Sequence, residues 1–484
     1  MIIRTTLFLI LIFCQFTFSH AQDSLLLSLD DVIRMAQGNS PSARLAQMEV
    51  NASKLDYTAF KAGLKPELSL SANLPGLSRS ISNINQDDGS ILFREQSQAI
   101  SRVGVNLSQQ LGTGGNLFVS SSTLGIFNFE PIDATNWRTS IFEVGFSQPI
   151  FQFNQVKWNK QNATINLNLA LGEYAVEKER IALEITDIFF DALIAQENLL
   201  RANTNVLNND TIFEITEGRF GVGKIAENEL LQSELNLMQA RSGQERAKVD
   251  LERAIRSLKT QLALPDGEII SMLSPLILPR MIYDPEKAVE EALKHSQFTR
   301  EIALEKFRAD QALARTKGAN RPELNLNATF GLNQTAEEFL DTYRNPVDRQ
   351  TLSMGVDVPI FNWGRAKAEN EAALIRQEQT YASAELREQA FRDQVYYQVL
   401  TLKQLETQLT IASKSDEIAQ KRYTITKNRY LIGKIGVQDL FIAQSENDRA
   451  RADYLSTLRD YWTAYINLRL ATLFDFVEMK PLME

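Results

Sequence analysis

After its first twenty-one residues the chain has no cysteine and a single histidine, His295. That excludes disulfide staples and the thiol and imidazole pairs on which much nucleophilic and metal chemistry rests. Proline is missing from Phe151 to Leu264 and again from Phe361 to Phe476. A long stretch without proline permits a long helix, because no residue removes an amide donor or clashes with the preceding turn. No long apolar run interrupts the body either, so no helix of the membrane-spanning kind is expected there. The one strongly apolar run, Leu7 to Phe18, follows Arg4 and precedes Ser19-His20-Ala21, the pattern of a secretory leader cut after Ala21. Cys14 lies inside it, and Phe13 is too bulky for the position before a lipidated cysteine. Basic charge is also short. Lys and Arg total 51 against 60 Asp and Glu, and the leader takes Arg4 with it, so a nucleic-acid partner lacks the basic face it needs.

What is present is a duplication. The stretch from Phe151 to Leu264, read as two long helices folded back at Arg219-Phe220-Gly221-Val222-Gly223-Lys224-Ile225, recurs 210 positions later with its turn at Arg429-Tyr430-Leu431-Ile432-Gly433-Lys434-Ile435. Ile181, Ile185, Ile188, Ala192, Ala195, Leu199, Ala202 and Val206 step by four and three, a heptad seam. Its second-copy counterpart, Phe391 to Asp416, is weaker because Gln398 and Asp416 stand in it. About 60 residues of helix make a rod of about 90 Å.

Ahead of each hairpin the period changes from helical to alternating. Leu68, Leu70, Ala72 and Leu74 face away from Ser69, Ser71 and Asn73, and Leu324, Leu326, Ala328, Phe330 and Leu332 from Asn325, Asn327 and Thr329. Returning strands follow at Phe142 to Phe146 and at Leu352 to Val358, and both copies enter the long helix through Pro-Ile-Phe. The strand offset is 256 rather than 210, so the first copy carries 46 extra residues. An added hairpin near 75–140, with alternation around Val103, Val105 and Leu107 and a Gly112-Thr113-Gly114-Gly115 turn, accounts for them. Whether that hairpin joins a sheet or stays outside it is open at this point. The division is then a leader (1–21), a first repeat (22–264), a connector (265–285) that reads as irregular, a second repeat (286–476) and a short tail (477–484).

Strands with one apolar and one polar face cross an outer membrane only as a closed barrel, since open edges leave backbone groups unpaired in lipid. Four or six strands do not close around a channel, so the fold class expected is mainly α, with long helical hairpins, and with antiparallel strands contributed to a shared oligomeric transmembrane β-barrel. Phe151, Phe153 and Trp158, and Phe361 and Trp363, gather where strands become helices, the level of an interfacial aromatic belt or of ordinary strand-end packing.

The duplicated plan, the Pro-Ile-Phe exits and the two turns, followed by Glu229-Leu230-Leu231 and by Asp439-Leu440-Phe441, resemble the TolC family of outer membrane efflux proteins over nearly the whole mature chain. The resemblance implies a homotrimer in outer membrane lipid, an exit duct of a tripartite efflux or type I secretion system. It further implies that the helical hairpins form an α-barrel as a long periplasmic extension, a periplasmic adaptor and an inner membrane transporter as partners, and no cofactor or enzymatic activity. It places the adaptor contact at Gly221, Val222, Gly223, Lys224, Leu431, Ile432, Gly433 and Lys434, and a periplasmic gate at Asp439, Glu229 and Tyr430. Ile435 occupies the position where an arginine ties the closed entrance in familiar members, so the latch here must differ, with Tyr430, Arg429 and Lys434 as candidates. Gly218 to Lys224 also spells the start of a phosphate loop, but helix precedes it and Ile225 replaces the hydroxyl needed for magnesium. A trimeric coiled-coil envelope protein without transport activity is the competing class; it leaves the paired strands without a purpose.

Overall fold

The computed structural model describes residues 25–85, 89–131, 133–275, 278–279 and 281–483. The leader and Cys14 lie outside the described residues. In chain order the first copy comprises β1 (Leu25–Leu27), α1 (Leu29–Asn39), α2 (Pro41–Gly63), β2 (Glu67–Asn85), β3 (Ile91–Gln110), β4 (Asn116–Glu130), β5 (Ala134–Ile150), α3 (Gln155–Gly221) and α4 (Glu227–Leu262). The connector holds β6 (Ile270–Met272), and the second copy comprises α5 (Pro285–His295), α6 (Gln297–Ala319), β7 (Glu323–Ala336), β8 (Val347–Asp357), α7 (Arg365–Leu431) and α8 (Val437–Thr472), followed by β9 (Phe474–Asp475) and β10 (Lys480–Pro481). α3 and α7 each have 67 residues, α4 and α8 each 36. All four begin and end at the 210-residue offset, so the helical periodicity was duplicated without a single insertion. Among the described residues no helix is long and apolar enough to cross a membrane.

One compact unit, Met48–Tyr174 with Ser296–Asp393, holds a six-stranded antiparallel sheet in the order β2-β3-β4-β5-β7-β8. The added hairpin is therefore part of the sheet, inserted between β2 and β5. Its register keeps one apolar face continuous. Leu68, Leu70 and Ala72 lie opposite Leu107, Val105 and Val103, and Leu107 lies opposite Val119. Leu117 and Val119 then meet Phe146 and Val144, those two meet Ala328 and Phe330, and Leu324, Leu326 and Ala328 meet Val356, Met354 and Leu352. Ser69, Asn106, Ser120, Glu143, Asn327 and Ser353 take the other face, as the pleat requires. Among the described residues little covers the apolar face at its edges: Leu70 is 72% exposed and Leu352 78%.

The other unit, with residues up to Gln47, Ala175–His295 and from Gln394 onward, holds the folded-back helices. Ile181, Ile185, Ala192 and Ala195 of the α3 seam are buried, as are Val395, Leu402 and Leu409 of α7. Phe189, Phe190 and Leu193, outside the heptad reading, are fully buried too, because α3 packs against neighbours on more than one side. α8 is joined to α3 by ion pairs along its length. Arg469 meets Glu179 at 2.9 Å, Arg459 meets Asp187 at 3.1 Å and Asp191 at 2.8 Å, Arg451 meets Glu197 at 3.0 Å, and Asp448 accepts from Arg201 at 3.1 Å. Arg451 also reaches Asp416 of α7 at 3.2 Å. Such half-buried pairs cost more to break on one side than they contribute to net stability. Burial pushes the Glu179 carboxyl up from its ordinary value, against the opposing pull of Arg469.

The connector is less irregular than its prolines suggest. β6 pairs in parallel with β1, Leu25 with Ile270 and Leu27 with Met272, and Gln196 of α3 closes its end by accepting from the Met272 amide at 3.0 Å and donating to the Met272 carbonyl at 3.0 Å. The tail likewise returns as β10 on β9. Three-residue strands are too short to carry a readable alternation.

Candidate functional site: the helical tips

Each hairpin reverses through the same backbone construction. The Lys224 amide donates to the Arg219 carbonyl at 2.9 Å and the Gly223 amide to the Phe220 carbonyl at 2.8 Å; in the second copy Lys434 donates to Arg429 at 3.0 Å and Gly433 to Tyr430 at 2.9 Å. These nested bonds close a helix only if the residue after its end is left-handed. Gly223 at φ 70° and Gly433 at φ 72° supply that conformation without the penalty a Cβ would bring. A helix leads directly into the first turn, so a phosphate loop, which needs a strand there, is not what is built.

Beyond this shared frame the side chains part. Tyr430, expected at the gate, does not face open space: it is 2% exposed, packed with Ile212, Val437 and Leu440, with Tyr423, Ile435 and Phe441 at the edge of the cluster. A phenol buried this deeply must find a polar partner, and its hydroxyl lies 2.8 Å from Thr216 Oγ1. Thr216 already donates to the Ile212 carbonyl at 2.6 Å, so Tyr430 is the donor between them. Ile435 therefore contributes apolar packing where a polar tie was sought.

Arg219, from the first turn, completes the arrangement. Its Nη2 donates to the carbonyls of Tyr430 and Leu431, each at 3.1 Å, and its guanidinium lies 5.0 Å from the Tyr430 ring centre. Both carbonyls are among the last four of α7, which accept no bond within their own helix; that of Tyr430 already accepts from the Gly433 amide, and Arg219 adds a second donor to it and supplies one to Leu431. A cation there also complements the negative end of the helix. Sequence reasoning missed Arg219 as a functional residue. Its only signal was an arginine ahead of the aromatic in both turns, and the counterpart Arg429 is exposed, as is Lys434. Neither of those two candidates makes a side-chain hydrogen bond among the described residues.

The remaining tip residues form an open surface. Val222 is 69% exposed and Ile432 66%; Leu431, Lys224 and Lys434 are exposed as well, and the space around Gly221 is empty. Asp439 sits exposed in the first turn of α8, with no partner among the described residues. Glu229, in the first turn of α4, is half-buried. Both helices start without a side-chain cap, so these carboxylates answer their positive ends through the helix dipole instead.

The aromatics at the strand exits divide by copy. Phe153 stacks on Trp158 with ring centres 6.0 Å apart, and Trp158 lies against Phe307 at 5.1 Å. Gly318 makes room for them, since a Cβ there would stand 3.0 Å from Phe153. Phe361 and Trp363 touch each other at 4.6 Å and otherwise stand in the open, Trp363 at 89% exposure. Phe151 is exposed also, with a left-handed φ of 65°. Among the described residues no group of His, Cys, Asp or Glu is disposed to hold a metal ion.

Comparison with known proteins agrees with this architecture. In Campylobacter jejuni the CmeC outer membrane channel superposes with a TM-score of 0.65 at 16% identity, covering 93% of this chain and 86% of CmeC. The outer membrane protein VceC of Vibrio cholerae gives 0.65 at 14% identity, covering 92% and 95%. By sequence, the pyoverdine export outer membrane protein OpmQ of Pseudomonas aeruginosa is 26% identical over 270 residues, which are 54% of this chain and 55% of OpmQ, so the match spans about half the length of that relative. The family model for outer membrane efflux proteins matches residues 32–263 and 288–472, both copies of the repeat. The chain belongs to the outer membrane efflux protein family.

Proposed function

We propose that the chain is the outer membrane exit duct of a tripartite efflux or type I secretion system. Three copies assemble into one channel, with the six-stranded sheets in the outer membrane and the helical hairpins extending into the periplasm. The tips carry the gate. The single observation behind this reading is the pair of matched turns presenting Val222, Leu431, Ile432, Lys224 and Lys434 to open space while Arg219 and Tyr430 hold the two copies together behind them. Exposed apolar residues flanked by lysines fit a protein partner, the helical hairpin of a periplasmic adaptor coupled to an inner membrane transporter. Docking there would displace Arg219 from the end of α7 and let the hairpins splay. Threefold symmetry would gather Asp439 into an acidic ring that favours cations at the entrance, with Glu229 at the equivalent position of the first turn. A structural coiled coil without transport gives the uncovered apolar sheet face no role. The cargo belongs to the small molecules and polypeptides that such ducts release, and the relative named for pyoverdine export falls in that range.

Purified protein reconstituted in planar bilayers tests the reading. It should insert as a trimeric pore, and Asp439→Ala should raise conductance or weaken cation preference severalfold. A protein that forms no pore would sink the duct, and a pore indifferent to Asp439→Ala would remove that residue from the gate.

A further inference from the structure

We propose that the added hairpin is a wall element of the assembled barrel, so that three copies close an 18-stranded pore through pairing of the β8 edge of one copy with the β2 edge of the next. This rests on the trimeric reading above. The sheet has six strands with β2 and β8 as its free edges, and adjacent strands alternate in direction throughout. An even count leaves the two edges antiparallel, which is the condition for closure with further copies. Unclosed, both edges would carry unpaired backbone groups into lipid.

The register permits that closure. One row of partners runs Glu67, Ser108, Phe118, Gly145, Thr329, Thr351 across the sheet. To keep apolar residues on one face, the next copy's β2 must enter this row an even number of positions beyond Glu67. A tilt of about 35–45°, usual for barrels, admits offsets of about six or eight residues over six strands, given a rise of ~3.3 Å and a spacing of ~4.8 Å. With the first offset Asp357 falls opposite Glu67, and Val356, Met354 and Leu352 meet Leu68, Leu70 and Ala72. With the second those three residues meet Leu70, Ala72 and Leu74. Either way the apolar face continues unbroken into the next copy.

The competing arrangement pairs β2 directly with β5 and leaves β3 and β4 outside a 12-stranded wall. Local fit argues against it. The Phe118 ring of β4 lies over Gly145 of β5, where a Cβ would come within 2.1 Å of it. At the hairpin base Gln148 donates to the Thr113 carbonyl at 3.2 Å and Asn154 to the Gly112 carbonyl at 2.9 Å, tying the turn to the entry of α3. Val103, Val105, Leu107, Leu117 and Val119 all lie on the shared apolar face and would lose their place in it.

Eighteen strands at such a tilt give a backbone diameter of about 34 Å, twelve about 23 Å, so equivalent residues of three copies lie about 30 Å or about 20 Å apart. The mature chain has no cysteine, and Asn327 is exposed on the polar face of β7. Full-length Asn327→Cys, or Ser353→Cys should that variant misassemble, is spin-labelled in nanodiscs, its mass measured natively and its dipolar distances recorded. Trimers centred near 30 Å are expected, together with interchain disulfides in Met354→Cys paired with Leu70→Cys or with Ala72→Cys. Trimers near 20 Å would overturn the wider barrel while leaving the duct intact. A species that is not trimeric would overturn both.

Discussion

The two tip turns share a backbone and differ in what secures them. Phe220 and Tyr430 occupy the same place in the repeat, yet Phe220 is 39% exposed while Tyr430 is buried and hydrogen-bonded. Arg219 and Arg429 are likewise equivalent, and only Arg219 reaches across to the other copy. Duplication thus supplied two identical helix ends, and divergence fastened one of them. The fastened end belongs to α7, and on the proposed gating reading α7 is the arm to be released while the first turn does the holding.

Parallel substitutions in the two turns break or sharpen this contrast. Removing the buried ring in Tyr430→Ala should cost roughly 3 kcal/mol of local stability, as for other buried aromatics, and should deprotect the last turn of α7 in hydrogen exchange. Phe220→Ala should cost less than about 1 kcal/mol, the scale of a surface change; equal deprotection of both turns would erase the asymmetry. A smaller effect is expected from Arg219→Ala, about 1–2 kcal/mol for two bonds from a charged donor, seen as higher open probability in bilayers, with Arg429→Ala unchanged. Should both arginine variants gate alike, the link across copies has no part in closure.

The smallest effect concerns pH. The folded Glu179 carboxyl is raised, so the stability it contributes is present below the unfolded carboxylate pKa, about 4.3, and is lost as pH rises through its higher folded value. Thermal unfolding of wild type should therefore fall in midpoint across that interval. Glu179→Gln keeps an acceptor for Arg469 and should flatten the slope; identical slopes would assign the pH dependence elsewhere.

How far the sequence carried depends on the range of each interaction. The helical hairpins were legible because a period near 3.6 repeats over dozens of residues, and the turn glycines because a left-handed φ leaves few other choices. The alternation in β3 and β4 was legible too, but their place between β2 and β5 was not, since pairing order is decided by edges far apart in sequence. β1 and β6 escaped for want of length. The tie between Arg219 and the end of α7 spans 211 positions, and nothing in either turn distinguishes Arg219 from Arg429 until the copies are brought together. Asp439 and Glu229 were located by their spacing from the turn glycines and given a role only by the family resemblance, and the structure adds their first-turn positions and their differing exposure.

The acceptors of Arg219 are main-chain carbonyls, so a closure of the proposed kind would make no demand on the neighbouring side chains. Substitutions at Leu431 and Ile432 that keep the backbone path would leave the bond to the peptide oxygens in place. On that reading, recognition of a partner and the holding of the shut state would rest on separate atoms of the same few residues. A duct so built could be passed from one pump to another without first learning to leak.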